Sequence, residues 1–260
     1  MIENPLVCIC IPNYNNEKTI SKTLDSLVLQ TYKNIIIKIF DNASTDGSMK
    51  ILREYETKYP YIQVLQNETN IGGEANFTKC IQNFEGEYGA VFHADDIYLP
   101  MMIKEQVMFL EKNKECSAVA VHANIIDENS HVIGTRYIPD IYTSHTSNII
   151  GNQLELLKVI LRYGNFITCP SVMARSSIYR NKIVRWNGND FKTSADLDVW
   201  LRLASFGNFG FISKTLMQYR ESIVSYSYKD MRSRIDENNM FLVLDYHKKI
   251  LKKQLSNHDL

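Results

Sequence analysis

Residues 6–19 read LVCICIPNYNNEKT, six apolar residues, a proline and then a polar stretch. The run is short and rich in β-branched residues, and Pro12 cannot donate to a continuing ladder. Leu6–Ile11 therefore reads as a buried strand that opens onto a polar loop. The same theme recurs downstream. TISKTLDSLVLQ (19–30) spaces its isoleucine and leucines along one helical face, with Thr19 or Ser21 placed to cap it. IIIKIF (35–40) is a second strand, and DNASTDGS (41–48) is a turn leading to a helix from about Ser48 to Tyr59. Ile62–Leu65 is a third strand, NETNIGG (67–73) a loop before another helix, and Tyr88–Phe92 a fourth strand, with a helix near 99–111 after it. Strand alternating with helix predicts an α/β fold built on a mostly parallel, doubly wound sheet.

Past Asn113 the pattern loosens. Ala118–Ala123 and Val132–Tyr137 read as strands, 139–152 as polar and irregular, and Leu154–Arg162 as a helix. Phe166–Ala174 reads as extended, 196–206 as a short helix, and a last helix runs from about Met231 to Leu255. There is no internal repeat and no low-complexity linker.

Composition narrows the function. In 260 residues, 29 Lys and Arg balance 29 Asp and Glu, which argues against a general nucleic-acid binder. Five cysteines lack a framework spacing, and Cys8 and Cys10 alternate along a strand as small buried apolar residues do. No stretch approaches eighteen apolar residues and the first residues carry no leader pattern, so the expectation is a cytoplasmic protein.

In open α/β sheets ligands bind outside the carboxyl ends of the strands. Here those ends carry Pro12-Asn13-Tyr14-Asn15, then Asp41-Asn42, then His93-Ala94-Asp95-Asp96 within FHADDIYLP (92–100). Adjacent aspartates repel one another, more so when buried, unless a cation lies between them. Oxygen donors of this kind suit Mg²⁺ or Mn²⁺, which often bridge carboxylates to phosphates. The plainer reading is that Asp95 caps the following helix while Asp96 faces water. No GxGxxG and no Walker loop follows the first strand.

Five segments, in order, carry a resemblance: VCICIPNYNNEKTISKTLDSLVLQTYKN, IIIKIFDNASTDGS, NETNIGG, FHADDIYLP and TSADLDVWLRLASFG. Over roughly residues 5–225 the chain resembles the family 2 glycosyltransferases, inverting enzymes of the GT-A fold that serve cell-surface polysaccharide and glycoconjugate synthesis. The resemblance implies a GT-A domain over 1–230, with a nucleotide-binding half (1–112) and an acceptor-binding half (113–230). Residues 231–260 would form a C-terminal amphipathic helical extension. It implies transfer from a nucleotide-sugar, a UDP-sugar by preference, to a glycan or lipid-linked glycan acceptor, with Mn²⁺ or Mg²⁺.

Residue by residue, the resemblance makes Pro12, Tyr14 and Asn15 the first nucleotide loop, with the Tyr14 ring stacked on the base. Asp41 would accept from the base, while Asp46 would cap the helix at 48. Asn70 and Gly72 would lie by the diphosphate, where a missing side chain lets the backbone approach. His93, Ala94, Asp95 and Asp96 correspond to D-x-D-D, with Asp95 the metal ligand, Asp96 its support and His93 a departure beside the ribose. The family's E-D-x-D/E-x-W-x-R corresponds to Ala195-Asp196-Leu197-Asp198-Val199-Trp200-Leu201-Arg202, making Asp196 the catalytic base. Asp198 and Arg202 would pair, and Trp200 would be core or acceptor wall. LMQYRESIVSYS (216–227) resembles a segment whose Tyr219 and Arg220 contact the diphosphate, with Glu221 in place of a histidine. The segment 139–152 would close over the donor.

The last helix mixes apolar residues with Lys248, Lys249, Lys252 and Lys253, so it could meet an anionic membrane, pack on the body with a solvated face, or form an oligomer contact. Two rival functions remain at this level. A sugar-1-phosphate nucleotidyltransferase would carry a glycine- and basic-rich first loop, which NYNNEKT is not. A non-catalytic nucleotide-sugar or glycan-binding module would tolerate the acids missing at 93 and 195.

Overall fold

The computed structural model describes residues 4–139, 148–221 and 238–252. In chain order its main elements are β1 (Val7–Asn13), α1 (Ile20–Val28), β2 (Ile35–Asp41), α2 (Ser48–Lys58), β3 (Ile62–Gln66), α3 (Gly73–Gln82), β4 (Tyr88–Val91) and β5 (Ile97–Tyr98). They continue as α4 (Met102–Lys112), β6 (Cys116–Ile126), β7 (Val132–Arg136), β8 (Ile149–Ile150), α5 (Gln153–Tyr163), β9 (Met173–Arg175), α6 (Ala195–Leu203), β10 (Asn208–Arg220) and α7 (Asn239–Leu251). Short helical turns fill the stretch between β9 and α6.

One ten-stranded sheet runs through the molecule in the order β3-β2-β1-β4-β9-β6-β10-β5, with β7 on β6 and β8 on β10. The β1–β2, β2–β3, β1–β4 and β6–β10 pairings are parallel. Only β9, the short β5 and β8, and the β7 hairpin strand run the other way to their neighbours.

The pleat explains the layers. Side chains alternate along β1, so Val7, Ile9 and Ile11 enter one core with α1, α2 and α4, while Cys8 and Cys10 enter the other. That second core holds residues of α3, α5, α6 and α7, with Trp200 at 1% exposure among its largest members. All five cysteines are free, and Cys8 and Cys10 serve as the small apolar residues that the alternation predicts.

The α/β expectation holds, including the mostly parallel sheet. Three elements differ in extent. The helix expected over 196–206 is α6, ending at Leu203, and the extended stretch 166–174 gives way to a turn at Cys169–Ser171 before β9. The helix expected over 231–255 is described as Asn239–Leu251; residues 231–237 and 253–255 lie outside the described residues.

β10 has no counterpart in the sequence reading. Its thirteen residues carry the polar Ser213-Lys214-Thr215 in mid-strand, at register shifts against β6 that break the period of two. Gly210 is required there, because a Cβ would come within 2.1 Å of the Phe109 ring. This strand delivers its C-terminal end, Tyr219-Arg220, beside the acidic turn that follows β4.

Candidate active site

The parallel strands end at one edge, and the loops there are tied together. In the β1–β2 register Asn13 sits opposite Asp41, and the Asn13 amide donates to Asp41 Oδ1 at 2.8 Å. Ser44 adds its hydroxyl to Oδ1 at 2.5 Å and its backbone N–H to Oδ2 at 3.0 Å. Asp41 is fully buried, so these three donors are what make a carboxylate tolerable there. Asp46 accepts from the N–H groups of Ser48 and Glu17 at 2.9 and 3.0 Å, fastening the start of α2 to the loop after β1. Asn15 is held by Ser44 and Thr45, with a left-handed φ of 54°. Pro12 is the penultimate residue of β1, and the Tyr14 ring beyond it is 45% exposed rather than packed on α1.

A second set of side chains holds the loop after β3. Asn42 donates to Asn70 Oδ1 at 2.8 Å, and the Gly72 N–H donates to the same oxygen at 2.9 Å. Gly72 has φ 84° and nothing within 4 Å of where a Cβ would sit, so its requirement for glycine comes from the backbone.

The acidic turn lies between β4 and β5. Because β5 pairs with Met217 and Gln218 of β10, Asp95 and Asp96 are brought against Arg220. The Arg220 N–H donates to Asp96 Oδ1 at 2.7 Å, and its guanidinium Nε donates to the Asp95 carbonyl at 2.8 Å. The remaining guanidinium nitrogens are taken by the Asp127 and Glu128 carbonyls and Ser130 Oγ. Arg220 is thus a buried clasp for the turn, with four of its five guanidinium N–H groups bound to protein oxygens.

The two aspartates separate clearly. Asp96 is fully buried and its Oδ2 makes no hydrogen bond with the described residues; burial first, and then the Asp95 charge, push its pKa well up. Asp95 is half-buried, and its carboxylate makes no hydrogen bond with the described residues, so it does not cap α4. Ala94 is buried between them and His93. His93 has its N–H on Tyr98 Oη at 2.7 Å and its ring edge-on to Phe77. Burial holds the imidazole below its ordinary pKa, against the pull of Asp95. One ligand atom from each of His93, Asp95 and Asp96 lies within 4.8 Å of the others. Two carboxylates, one of them with an unpartnered buried oxygen, and an imidazole form a donor set that fits a divalent cation.

His93 also lines a cavity of about 1270 Å³ whose wall includes Gly72, Phe77, Arg136, Trp186, Asp196 and Tyr219. Asp196 stands in the first turn of α6, where the helix dipole favours a carboxylate, and its Oδ1 accepts its neighbour Leu197's N–H at 2.7 Å. Burial nevertheless dominates and raises its pKa to about 6, against the Leu197 bond, the Arg136 charge and the Asn165 amide. A half-buried carboxylate with that affinity, open to a cavity, suits a general base.

Asp198, two residues on, is different. It is fully buried, with Oδ2 bound by Arg202 Nε at 2.8 Å and Asn187 Nδ2 at 2.9 Å, and Oδ1 2.9 Å from His247 Nε2. His247 is itself buried on α7, and its Nδ1 faces the Gln153 amide at 2.9 Å. Asn239 at the start of α7 donates to Thr193 at 2.8 Å, and Tyr246 packs on Phe191. The last helix therefore clamps the segment that carries Asp196. Burial alone would raise the Asp198 pKa, but the His247 bond and Arg202 charge outweigh it and leave it lowered from 3.8. Its contribution to stability is thus present above the unfolded value and lost as pH falls through the lower folded one. Arg202→Leu should destabilise the fold by about 3–5 kcal/mol in urea unfolding, because it strands a buried charge.

The structure thus brings His93, Gly72 and Asp196 onto one cavity, with Asp95 and Asp96 in the turn that carries His93. Pro12, Tyr14, Asn15, Asp41 and Asn70 lie at the neighbouring strand ends, outside its wall. Of the segment 139–152, residues 140–147 lie outside the described residues. Arg136, Trp186 and His247 escaped the sequence reading as parts of the site: the local sequence of Arg136 and Trp186 does not set them apart, and the helical spacing that turns His247 inward does not name its partner.

A family model described as "Glycosyl transferase family 2" matches residues 8–187. EpsE of Bacillus subtilis (strain 168), which carries a glycosyltransferase name, is 28% identical over 238 residues, 91% of this chain and 80% of that protein. Among solved structures, S. aureus TarS has a TM-score of 0.67 at 16% identity over 95% of this chain, which spans 43% of TarS. TarS 1–349 has been solved in complex with UDP-GlcNAc. The mannosyltransferase PcManGT from Pyrobaculum calidifontis, in complex with GDP-Man and Mn2+, has a TM-score of 0.58 at 13% identity, covering 99% of this chain and 78% of that one. Those structural likenesses speak to the GT-A fold, and the family model, which covers more than half of the chain, places the chain in glycosyl transferase family 2.

Proposed function

We propose that this chain transfers a sugar, with inversion, from a UDP-sugar to a hydroxyl of a glycan or lipid-linked glycan acceptor. The observation that carries this reading is that the Asp196 carboxylate, with a pKa raised to about 6, and His93 of the acidic turn, from opposite halves of the chain, line one cavity.

In this reading Tyr14 stacks on the base and Asp41 accepts from it through the acceptor capacity left on Oδ2. Gly72 lets the backbone approach the diphosphate. Asp95 and Asp96 would hold Mn²⁺ or Mg²⁺, which when bound supplies a Lewis acid for the charge growing on the leaving diphosphate. Asp196 takes the proton from the acceptor hydroxyl as its oxygen bonds to the anomeric carbon. The bond from that carbon to the diphosphate oxygen breaks in the same displacement, so no covalent enzyme intermediate forms. Phe77 and Trp186, whose rings lie 4.7 Å apart, would give the sugar an apolar wall on one side of the cavity.

Incubation with a panel of UDP-sugars and Mn²⁺ should release UDP slowly from the matching donor. Tight binding with no release from any donor would make the chain a binding module instead.

A lipid-linked acceptor would place the protein at a membrane surface, and no helix among the described residues is long and apolar enough to cross one. The outer face of α7 exposes Phe241, Leu242, Tyr246 and Ile250 together with Lys248, Lys249 and Lys252. Asn238, which caps α7, lines the cavity, so this face begins at the cavity rim. The chain should float with vesicles containing anionic lipid, and the triple change Lys248→Glu, Lys249→Glu, Lys252→Glu should abolish flotation. Equal behaviour of the two proteins would remove the membrane role. Deleting α7 would be a poorer test, because it also removes His247 from Asp198.

A further inference from the structure

The histidine two positions before the acidic pair has no hydrogen bond to the described residues on its ring. The His93 backbone is pinned on both sides by Tyr98, whose Oη accepts from the His93 N–H at 2.7 Å and donates to its carbonyl at 3.3 Å. The ring is set edge-on to Phe77, with centroids 5.8 Å apart at 88°. Its nitrogens, in contrast, make no hydrogen bond to the described residues. Nε2 is buried without a partner, and Nδ1 lies 3.8 Å from Asp96 Oδ2, which is also buried without a partner. Buried polar atoms in native folds are nearly always paired, so Asp96 Oδ2, buried without a hydrogen bond and faced by Nδ1 at 3.8 Å, points to a missing third party between them.

We propose that His93 is itself a ligand, giving its Nδ1 to a divalent cation shared with Asp95 and Asp96 in a mixed nitrogen–oxygen site. This rests on reading the acidic turn as the metal station of a sugar transferase, and it adds to that reading the donor atom and the ion it selects. Ligands about 2.1 Å from a common ion sit about 3.0 Å apart when adjacent and about 4.2 Å apart when opposite. The Nδ1 to Oδ2 separation of 3.8 Å falls within that span; the three donors lie within 4.8 Å of one another, so the Asp95 carboxylate, which no hydrogen bond to the described residues holds, closes the rest onto the ion. Asp96 is aimed by the Arg220 N–H on its other oxygen, and Tyr98 fixes the histidine backbone, so two of the three donors are positioned before any ion arrives. An imidazole in place of a third carboxylate favours first-row transition ions, Co²⁺ more than Mn²⁺ and both more than Mg²⁺, which keeps to oxygen.

The test is spectroscopic and needs no turnover. The full chain is titrated with Mn²⁺ alone and then with Mn²⁺ plus UDP, and pulsed electron paramagnetic resonance reads nuclei bound to the ion. A directly coordinated nitrogen is expected, with its coupling changed by ¹⁵N-histidine labelling and lost in His93→Asp and His93→Asn. The preference for Mn²⁺ over Mg²⁺, read by calorimetry, should fall about 10-fold or more in both variants. Mn²⁺ bound without nitrogen coupling, or bound equally well by His93→Asn, would overturn the proposal, as would failure of Mn²⁺ to bind at all. If a variant fails to fold, the labelled wild-type spectrum still decides. Nitrogen-coupled Mn²⁺ in a protein that binds no UDP would keep the ligand and sink the transferase reading, so the two failures are distinguishable.

Discussion

Asp196→Asn should lower turnover by about 10²–10⁴ while leaving UDP-sugar affinity within a few-fold of wild type. The asparagine preserves shape and still accepts the Leu197 N–H, but it cannot take a proton. With its pKa raised to about 6 by burial, Asp196 is the protonated acid below that pH and the working base above it. The rate constant kcat/KM for acceptor should therefore rise tenfold per pH unit below about 6 and level off above it, and the variant should lose that limb. Asp198 offers no substitute, because it is fully buried and both its oxygens are already bound. Near-normal transfer by Asp196→Asn would require a base from the acceptor or another part of the cavity.

Asp95→Ala should remove the Mn²⁺-dependent part of UDP binding, a loss of about 10-fold or more by calorimetry. The substitution is clean for a structural reason. The Asp95 carboxylate makes no bond with the described residues, and its link to Arg220 runs through the backbone carbonyl, which alanine keeps. Melting behaviour should stay close to wild type. Asp96→Ala is a worse probe, since it orphans the Arg220 N–H in a fully buried turn. A variant Asp95→Ala that binds UDP with an unchanged Mn²⁺ response would rule Asp95 out as a ligand.

How much of this was legible beforehand depends on the range of the forces involved. The first four strands and their helices announce themselves through local periodicity, and Cys8 and Cys10 were readable as core because a strand alternates. The site was legible where its residues sit in motifs at strand ends, as Asp41 and Asp95 do. β10 was not, because its polar middle satisfies register shifts against β6, a strand about ninety residues earlier. Nor was the part played by α7. Amphipathicity marks Val243, Leu244 and His247 as an inward face but does not say that the face meets Asp198. The strand carrying Arg136 was read, but its exposed Val132 and Ile133 do not say that its end reaches the cavity.

The most direct test of the central claim is native mass spectrometry of the full chain with a panel of nucleotide-sugars, with and without Mn²⁺. One UDP-sugar should bind in preference to its GDP, CMP and TDP counterparts, and only when the ion is present. Binding of no nucleotide-sugar in either condition, by a protein shown to be folded, would contradict the account.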